Sequence, residues 1–541
     1  MIFEKNAIAA FSAIILSAAI SAQAADTKPN VLIFVADDLG YADMGFKGSQ
    51  IQTPNLDRLA GEGAVLNRFY TAPICSPTRA ALMTGRDPGT LGVAYSVILP
   101  WDTGGVHTDE HFMPESFQQA GYQTAMVGKW HLGHSQQVFH PNERGFDSFY
   151  GHLHTEVGFY PPFANLGGID FQRNGKTIDD QGYETFLLAD EASRWIEQRD
   201  KTRPFFMYLP FLAPHEPLEA PDEFVEKYKD LEDQREPARS PSSDMSAFGH
   251  ILPSRRPLYA AVVDAMDQSI GQVLDTLDSE NIADNTIVLF FSDNGATRVD
   301  GRGGGDNAPL RGGKAESYEG GIRVAALARW PQHIAAGSEI DEMITVMDVF
   351  PTLAAATGIK AQNKKTFDGY NALKTLTEDQ PVERDNIVIF GSEIPLYGSF
   401  NFAAIEGDWK LVQWVEQDLY QITVKNELYN LSNDIGEWND LSDKHPEQVK
   451  RMTEAIAQWR ANYPINGTRA RIAAPPGWHP PLDWSTFPQP LNELQEEPAH
   501  SMAPNKPILY MLDQKQGDRG RLVYDCQRLS LLGNVCNPLS P

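Results

Sequence analysis

Two pairs of oxygen-bearing side chains stand at the ends of apolar runs. Asp37 and Asp38 follow the run Asn30 to Ala36, and Asp293 and Asn294 follow Thr286 to Phe291 and Ser292. If both runs lie in one sheet, the four side chains converge, and four hard oxygen donors suit Ca²⁺ or Mg²⁺ rather than zinc. Either pair alone reads as a strand-end turn, where Asp and Asn are common; two pairs at equivalent strand ends point to a metal. Cys75 lies in Pro73-Ile74-Cys75-Ser76-Pro77-Thr78-Arg79. Ser76 is a good N-cap and Pro77 a good first helical residue, so Cys75 is expected at a helix N-terminus, where the amides and the dipole favour negative charge. A thiol there has a lowered pKa, and Arg79, four residues on, can reach back over the first turn. The residues alone leave a reactive thiol, a metal ligand and a modified residue all open for Cys75.

The elements that would carry these groups follow from hydrophobic patterning. Asn30 to Ala36 is a continuous apolar run, as expected of a strand buried on both faces of a parallel sheet. Three further runs end in polar groups: Thr124 to Val127 before Lys129 and His131, Pro204 to Leu209 before His215, and Thr286 to Phe291 before Asp293. Leu188, Ala192, Trp195 and Ile196 fall on one helical face, as do Tyr259, Val262, Val263, Met266, Ile270, Val273, Leu274 and Leu277. Alternating strands and helices predict an α/β sheet with helices on both faces, and ligands in such sheets gather at the carboxyl ends of the strands. After about residue 375 the pattern changes to short β-rich pieces, Asn386 to Phe390, Asn401 to Ile405, Trp409 to Trp414 and Glu427 to Leu431, and then a helix over Val449 to Trp459. This predicts a smaller antiparallel sheet covered by one helix. The expected division is 1–24 leader, 25–375 catalytic domain, 376–472 antiparallel-sheet subdomain, and 473–541 a Pro-rich extension, irregular but ordered, that wraps the body.

Composition narrows the class of partner. The 541 residues carry a formal net charge of −27, which repels nucleic acid and makes any anionic substrate depend on a local basic pocket. Lys5, the apolar run Ala7 to Ile20 and the small residues before Ala25 read as a secretory signal cleaved after Ala24. No later segment has enough consecutive apolar residues for a membrane span. A periplasmic or secreted location is therefore expected. Of the three cysteines, Cys526 and Cys536 close a short loop and would form a disulfide in an exported protein, which leaves Cys75 as the odd one.

The stretch Cys75-Ser76-Pro77-Thr78-Arg79 with Thr84-Gly85 resembles the C-x-P-x-R…T-G signature of the type I sulfatases. The resemblance runs from Asn30 to about Leu441. It includes Asp37-Asp38-Leu39-Gly40, Gly128-Lys129-Trp130-His131-Leu132-Gly133, Arg144-Gly145-Phe146-Asp147, Pro214-His215-Glu216-Pro217, Ser292-Asp293-Asn294-Gly295 and Arg311-Gly312-Gly313-Lys314. It implies an alkaline-phosphatase-like α/β sandwich with a large, mostly parallel sheet and a smaller C-terminal antiparallel-sheet subdomain. It also implies that Cys75 is oxidised to formylglycine (3-oxoalanine) by a formylglycine-generating maturation enzyme, and that Asp37, Asp38, Asp293, Asn294 and the modified Cys75 hold one Ca²⁺.

The roles that the resemblance implies are these. The hydrated aldehyde at Cys75 attacks sulfur through one hydroxyl, and the other, deprotonated by His131, expels sulfate. Arg79 and Lys129 stabilise the diol, Lys314 and His215 contact the sulfate, and His215 protonates the leaving alcohol. The substrate would be an aryl sulfate or a sulfated carbohydrate. Alternatives are a phosphonate monoester or phosphodiester hydrolase of the same superfamily, an inactive binder of sulfated glycans, and a plain cysteine hydrolase, for which a thiolate beside a hard cation site is a poor match. Among weaker features, Gly301 to Gly305 resembles a phosphate loop in composition only, and His152, His154 and Tyr160 are candidates for lining the substrate cleft.

Overall fold

A computed structural model describes residues 28–487 except 155–156, 161–163, 165–166, 236–253, 298–302, 362–364, 395–398, 418–420 and 471–472. The leader expected over 1–24, the pair Cys526 and Cys536 and most of the Pro-rich extension lie outside the described residues.

Every residue of the strand Asn30–Ala36 is buried, because its two faces meet two different cores. Val31, Ile33 and Val35 enter one cluster with the helix Cys75–Thr84, while Leu32, Phe34 and Ala36 enter the other with the helices Glu184–Gln198 and Arg256–Ser279. Tyr259, Val262, Val263, Met266, Ile270, Val273, Leu274 and Leu277 line the buried side of the last helix, as their 3.6-residue spacing predicts. Full burial of each aliphatic one contributes about 1.5–3 kcal/mol.

Asn30–Ala36 sits near the middle of a ten-stranded sheet. It pairs in parallel with Phe205–Pro210 on one side and Thr286–Ser292 on the other. Outward from Phe205–Pro210 run the parallel strands Gln123–Lys129 and Ser148–His152, then two short antiparallel ones. On the far side, Ala326–Arg329 pairs antiparallel with Thr286–Ser292. Five parallel strands therefore deliver their carboxyl ends to one edge of the sheet, and every expected site residue except Cys75, Arg79 and Lys314 lies at or just beyond the end of one of them. The registers Ala36 to Ser292 and Val35 to Pro210 bring those ends level.

The second sheet is an antiparallel meander of Val388–Ile394, Ser399–Glu406, Trp409–Gln417 and Ile422–Asn430. The helix Pro446–Ala461 buries Met452 and Ile456 against Phe402, Leu411 and Leu428. Its middle hairpin turns on Gly407-Asp408, and Gly407 has φ +57°, a conformation that a glycine adopts at no steric cost. The strand pieces legible in the sequence are present but two to four residues longer or shifted, because solvent-facing residues such as Glu416 and Lys425 break the apolar pattern while keeping the ladder.

Lys410, fully buried on this sheet, bridges Glu319 and Glu437 at 2.9 Å each, and Tyr70 donates to Glu319 at 2.8 Å. Removing one partner of a buried ion network leaves an uncompensated charge. Lys410→Met is expected to lower unfolding stability by about 3–5 kcal/mol, measured by urea denaturation; a loss under about 1 kcal/mol would mean that the network is worth no more than a surface pair.

Among the described residues no helix is long and apolar enough to cross a membrane.

Candidate active site

The strand Asn30–Ala36 ends by leaving the sheet at Asp37, whose amide donates to Ala213 O at 3.0 Å. Asp38 then takes φ +66°, a left-handed conformation that costs a non-glycine residue about 1–3 kcal/mol and that clusters at functional sites. Asp37 is fully buried and Asp38 nearly so. The loop is held from beneath: the Gly40 amide donates to Tyr259 Oη at 3.0 Å, Tyr259 Oη donates to Asp43 Oδ2 at 2.9 Å, and Arg256 pairs with Asp43. A Cβ on Gly40 would lie 2.2 Å from Asp43 Oδ2 and 2.3 Å from Asp306 O, so only glycine lets the loop pass.

Cys75 is the first residue of the helix Cys75–Thr84, after Ile74 in an extended conformation. The expected N-cap is thus corrected: Ser76 is inside the helix, where its hydroxyl donates to His131 O at 2.9 Å and accepts from the Ile98 amide at 3.2 Å. Pro77 still falls within the first turn, where its missing N–H costs nothing. The Cys75 thiol points at Asp37 Oδ1, 3.6 Å away. Its pKa is the second correction. Burial, and then Asp37, push the thiol up against the pull of Lys314 and Lys129, opposite to the lowered pKa that the sequence suggested.

Arg79 reaches back as expected. Nη2 donates to Asp37 Oδ2 at 3.0 Å and to Asp293 Oδ2 at 2.7 Å, Nε donates to Asp293 Oδ2 at 3.1 Å, and Nη1 donates to Lys129 O at 3.1 Å. Lys129 Nζ donates to Asp37 Oδ2. Lys314 Nζ lies 2.8 Å from Asp38 Oδ1 and 2.9 Å from Oδ2. Burial alone would raise the Asp37 carboxyl, but Lys129, His215, Arg79 and Lys314 outweigh it and hold Asp37 well below the usual carboxylate range. Asp293 moves the other way, raised by burial and then by Asp37. Three carboxylates (Asp37, Asp38, Asp293) face three permanent cations (Arg79, Lys129, Lys314), so the protein groups nearly cancel.

The two histidines present different nitrogens. His131, with φ +59°, donates from Nε2 to Ile98 O at 3.2 Å. Its Nδ1 is buried without a hydrogen-bond partner and keeps a free lone pair. Burial, then Lys129 and Arg79, hold this imidazole well below its usual pKa, so it is neutral. His215 follows Phe205–Pro210 and donates from Nδ1 to Glu216 O at 2.6 Å, which turns Nε2 to within 3.8 Å of Asp38 Oδ2.

Asp37, Asp38, Cys75 and His215 offer ligand atoms all within 4.8 Å of one another. Asp293 and Asn294 adjoin them: the Asp38 amide donates to Asp293 Oδ1 at 3.4 Å and Asn294 Nδ2 donates to Asp38 Oδ1 at 2.6 Å. Asn294 Oδ1 is a buried acceptor with no donor, an arrangement that costs about 1–3 kcal/mol unless something else binds it. Carboxylate and amide oxygens with one spare acceptor fit a hard divalent cation. All ten residues singled out in the sequence are thus gathered at one strand edge.

Thr297 was not foreseen. Its hydroxyl donates to Asp38 Oδ2 at 3.2 Å; it lies three residues past Asn294, and only that proximity could have signalled it. Tyr259 was read purely as a core residue, because its hydroxyl is invisible to hydrophobic periodicity. His152 and His154, candidates for lining the cleft, are buried: His152 Nδ1 donates to His154 O at 2.8 Å and its Nε2 lies 3.6 Å from Glu184. Tyr160 is 43% exposed and packs its ring on Tyr183.

Residues 29–359 match the family described as Sulfatase, and residues 313–462 match the C-terminal region of N-sulphoglucosamine sulphohydrolase. Human N-acetylgalactosamine-6-sulfatase is 35% identical over 386 residues, 67% of this chain and 68% of the relative. Arylsulfatase J of Mus musculus is 29% identical over 496 residues, 84% of this chain and 78% of the relative. Among solved structures, Ps i-CgsB in complex with k-i-k-neocarrahexaose superposes with a TM-score of 0.69 at 32% identity, covering 81% of this chain and 94% of that one.

Proposed function

Since the chain belongs to the sulfatase family and is a sulfuric ester hydrolase, we propose that it hydrolyses the sulfate ester of a carbohydrate through a formylglycine made from Cys75, with one Ca²⁺ held by Asp37, Asp38, Asp293 and Asn294. The observation that carries this reading is the buried Cys75 thiol 3.6 Å from Asp37, pushed up rather than down in pKa. A thiol raised in this way is a poor thiolate nucleophile, which argues against the plain cysteine hydrolase and supports its oxidation. Formylglycine would supply a hydrated aldehyde, with one hydroxyl to attack sulfur and a second to expel sulfate. Calcium would supply charge: the protein groups nearly cancel, so a bound divalent cation leaves the excess positive charge that draws in a sulfate monoester.

The chain's own residues divide the remaining work. Arg79 and Lys129, fixed by Asp37, Asp293 and each other, hold fixed positive charge beside the Cys75 position. His131 offers a neutral Nδ1 lone pair to take a proton. His215 turns Nε2 toward Asp38, where a protonated imidazole can pass its proton to a departing alcohol. Lys314, beside Asp38, can meet a sulfate oxygen. A net charge of −27 on the chain around a centre that calcium would make positive disfavours nucleic acid and long polyanions at a distance. Human N-acetylgalactosamine-6-sulfatase and the protein solved with a neocarrahexaose both favour a sulfated glycan over a small aryl sulfate as substrate. Export to the periplasm or beyond, with oxidation of Cys75 by a dedicated maturation enzyme, completes the reading.

Matched sulfate and phosphate monoesters of one sugar alcohol test it. The sulfate should be turned over faster; faster turnover of the phosphate ester would make the chain a phosphohydrolase on this fold. The role of His215 has a separate signature. His215→Gln should cost about 10²–10⁴-fold in kcat/KM for a sugar sulfate, whose alcohol needs protonation. For a nitrophenyl sulfate, whose leaving group needs little help, the loss should be at least tenfold smaller. Equal losses for the two substrates would exclude His215 as the proton donor.

A further inference from the structure

We propose that the described part of the C-terminal extension, residues 473–487, is a strap that fixes the loop carrying His131, with Trp484 as its positioning residue. The inference rests on the site reading above. The strap lies beyond both matched family regions, which end at 359 and 462.

Trp484 is 4% exposed and lies against two histidine rings, 4.9 Å from His154 and 5.3 Å from His134. Those histidines lie in the two segments that follow the strands Gln123–Lys129 and Ser148–His152. The loops run together: the Trp130 amide donates to His152 O at 3.0 Å and the His131 amide donates to Leu153 O at 3.2 Å. One indole therefore packs on both segments whose backbones pair at His131.

Two further links lead from the strap to the same imidazole. The Ile169 amide donates to Leu482 O at 3.0 Å and the Trp484 amide donates to Ile169 O at 2.9 Å. The next residue, Asp170, accepts the Leu153 amide at 3.0 Å and the His154 amide at 2.6 Å. On the other flank Trp478 meets Trp101 edge to face at 5.8 Å. Its neighbour Pro100 accepts from His134 Nε2 at 3.1 Å, and Ile98 in the same loop accepts from His131 Nε2 at 3.2 Å. That last bond leaves Nδ1 as the free lone pair. The strap is tied down away from the site, where Thr177 Oγ1 donates to Asp483 Oδ1 at 2.6 Å and Trp484 Nε1 donates to Gly167 O at 3.0 Å. A base displaced by about 1 Å loses about 10²-fold in rate, so a strap that fixes this loop acts on kcat.

Trp484→Ala, Trp484→Phe and Asp483→Ala in the full chain test the assignment. Trp484→Ala should lower kcat on a nitrophenyl sulfate by about 10–10²-fold with KM within about threefold, and Trp484→Phe, which keeps a ring over His154, should recover most of it. Hydrogen exchange gives a readout independent of turnover: amides of 129–134 and 150–154 should exchange faster in Trp484→Ala than in the unaltered protein. Asp483→Ala, which loosens the strap without touching the histidines, should move both readouts the same way and serves if Trp484→Ala fails to fold. Unchanged exchange in these segments, or kcat within twofold in the folded variants, overturns the proposal. An unaltered protein that hydrolyses no sulfate ester would sink the functional reading instead, while the exchange result still decides the strap.

Discussion

Cys75→Ala should abolish turnover, with kcat/KM falling by about 10⁴–10⁶-fold while the protein stays folded. The side chain is 1% exposed and the alanine fits the same helix start, so the melting temperature should move by only a few degrees. Cys75→Ser is the more informative partner. A serine hydroxyl can attack sulfur once but has no second hydroxyl on the same carbon to expel sulfate, so at most one equivalent of alcohol should be released per enzyme. Multiple turnovers by Cys75→Ser, read by stopped-flow release of nitrophenol, would mean that the two-hydroxyl logic is wrong. Sustained activity in Cys75→Ala would move the nucleophile elsewhere, with His131 and a water as the remaining source.

The second large effect is loss of the divalent cation. The protein charges nearly cancel, since Asp37, Asp38 and Asp293 are answered by Arg79, Lys129 and Lys314. A chelated protein should therefore remain folded at room temperature but lose the positive excess that binds and activates the ester. Activity should fall by about 10²-fold or more and return on adding Ca²⁺. Mg²⁺ should restore less, because it demands near-octahedral geometry and gives up water reluctantly. The melting temperature should rise with Ca²⁺ concentration in the manner of a ligand that binds only the folded state. Full activity after exhaustive chelation, with metal content verified by mass spectrometry, would contradict the cation's role.

Much of this architecture was legible in the sequence for a physical reason. Strands buried on both faces must be apolar throughout, so Asn30–Ala36 and Thr286–Ser292 stand out, and the first charged residue after each marks a carboxyl end. Polar groups at those ends have few structural reasons to recur, so Asp37, Asp38, Lys129, His131, His215, Asp293 and Asn294 could be named before any geometry. What stayed hidden depends on environment rather than residue type. The thiol at a helix N-terminus was expected to be acidic, but burial beside Asp37 reversed the direction. Ser76 looked like a cap because caps are read locally, whereas its hydroxyl serves the distant His131 and Ile98 backbone. Tyr259 hid among apolar residues of a periodic helix, and His152 and His154 looked available when in fact both are buried. Trp484, in a tail without periodicity, gave no signal at all, since its partners are more than 300 residues away in the chain.

The central claim is that Cys75 acts only after oxidation, and the most direct measurement is mass spectrometry of the peptide containing Cys75, taken from protein exported by its own host and active on a sulfate ester. The aldehyde, or its hydrate, should stand in place of the thiol in a fraction that tracks specific activity between preparations. A thiol retained throughout a fully active preparation would contradict it.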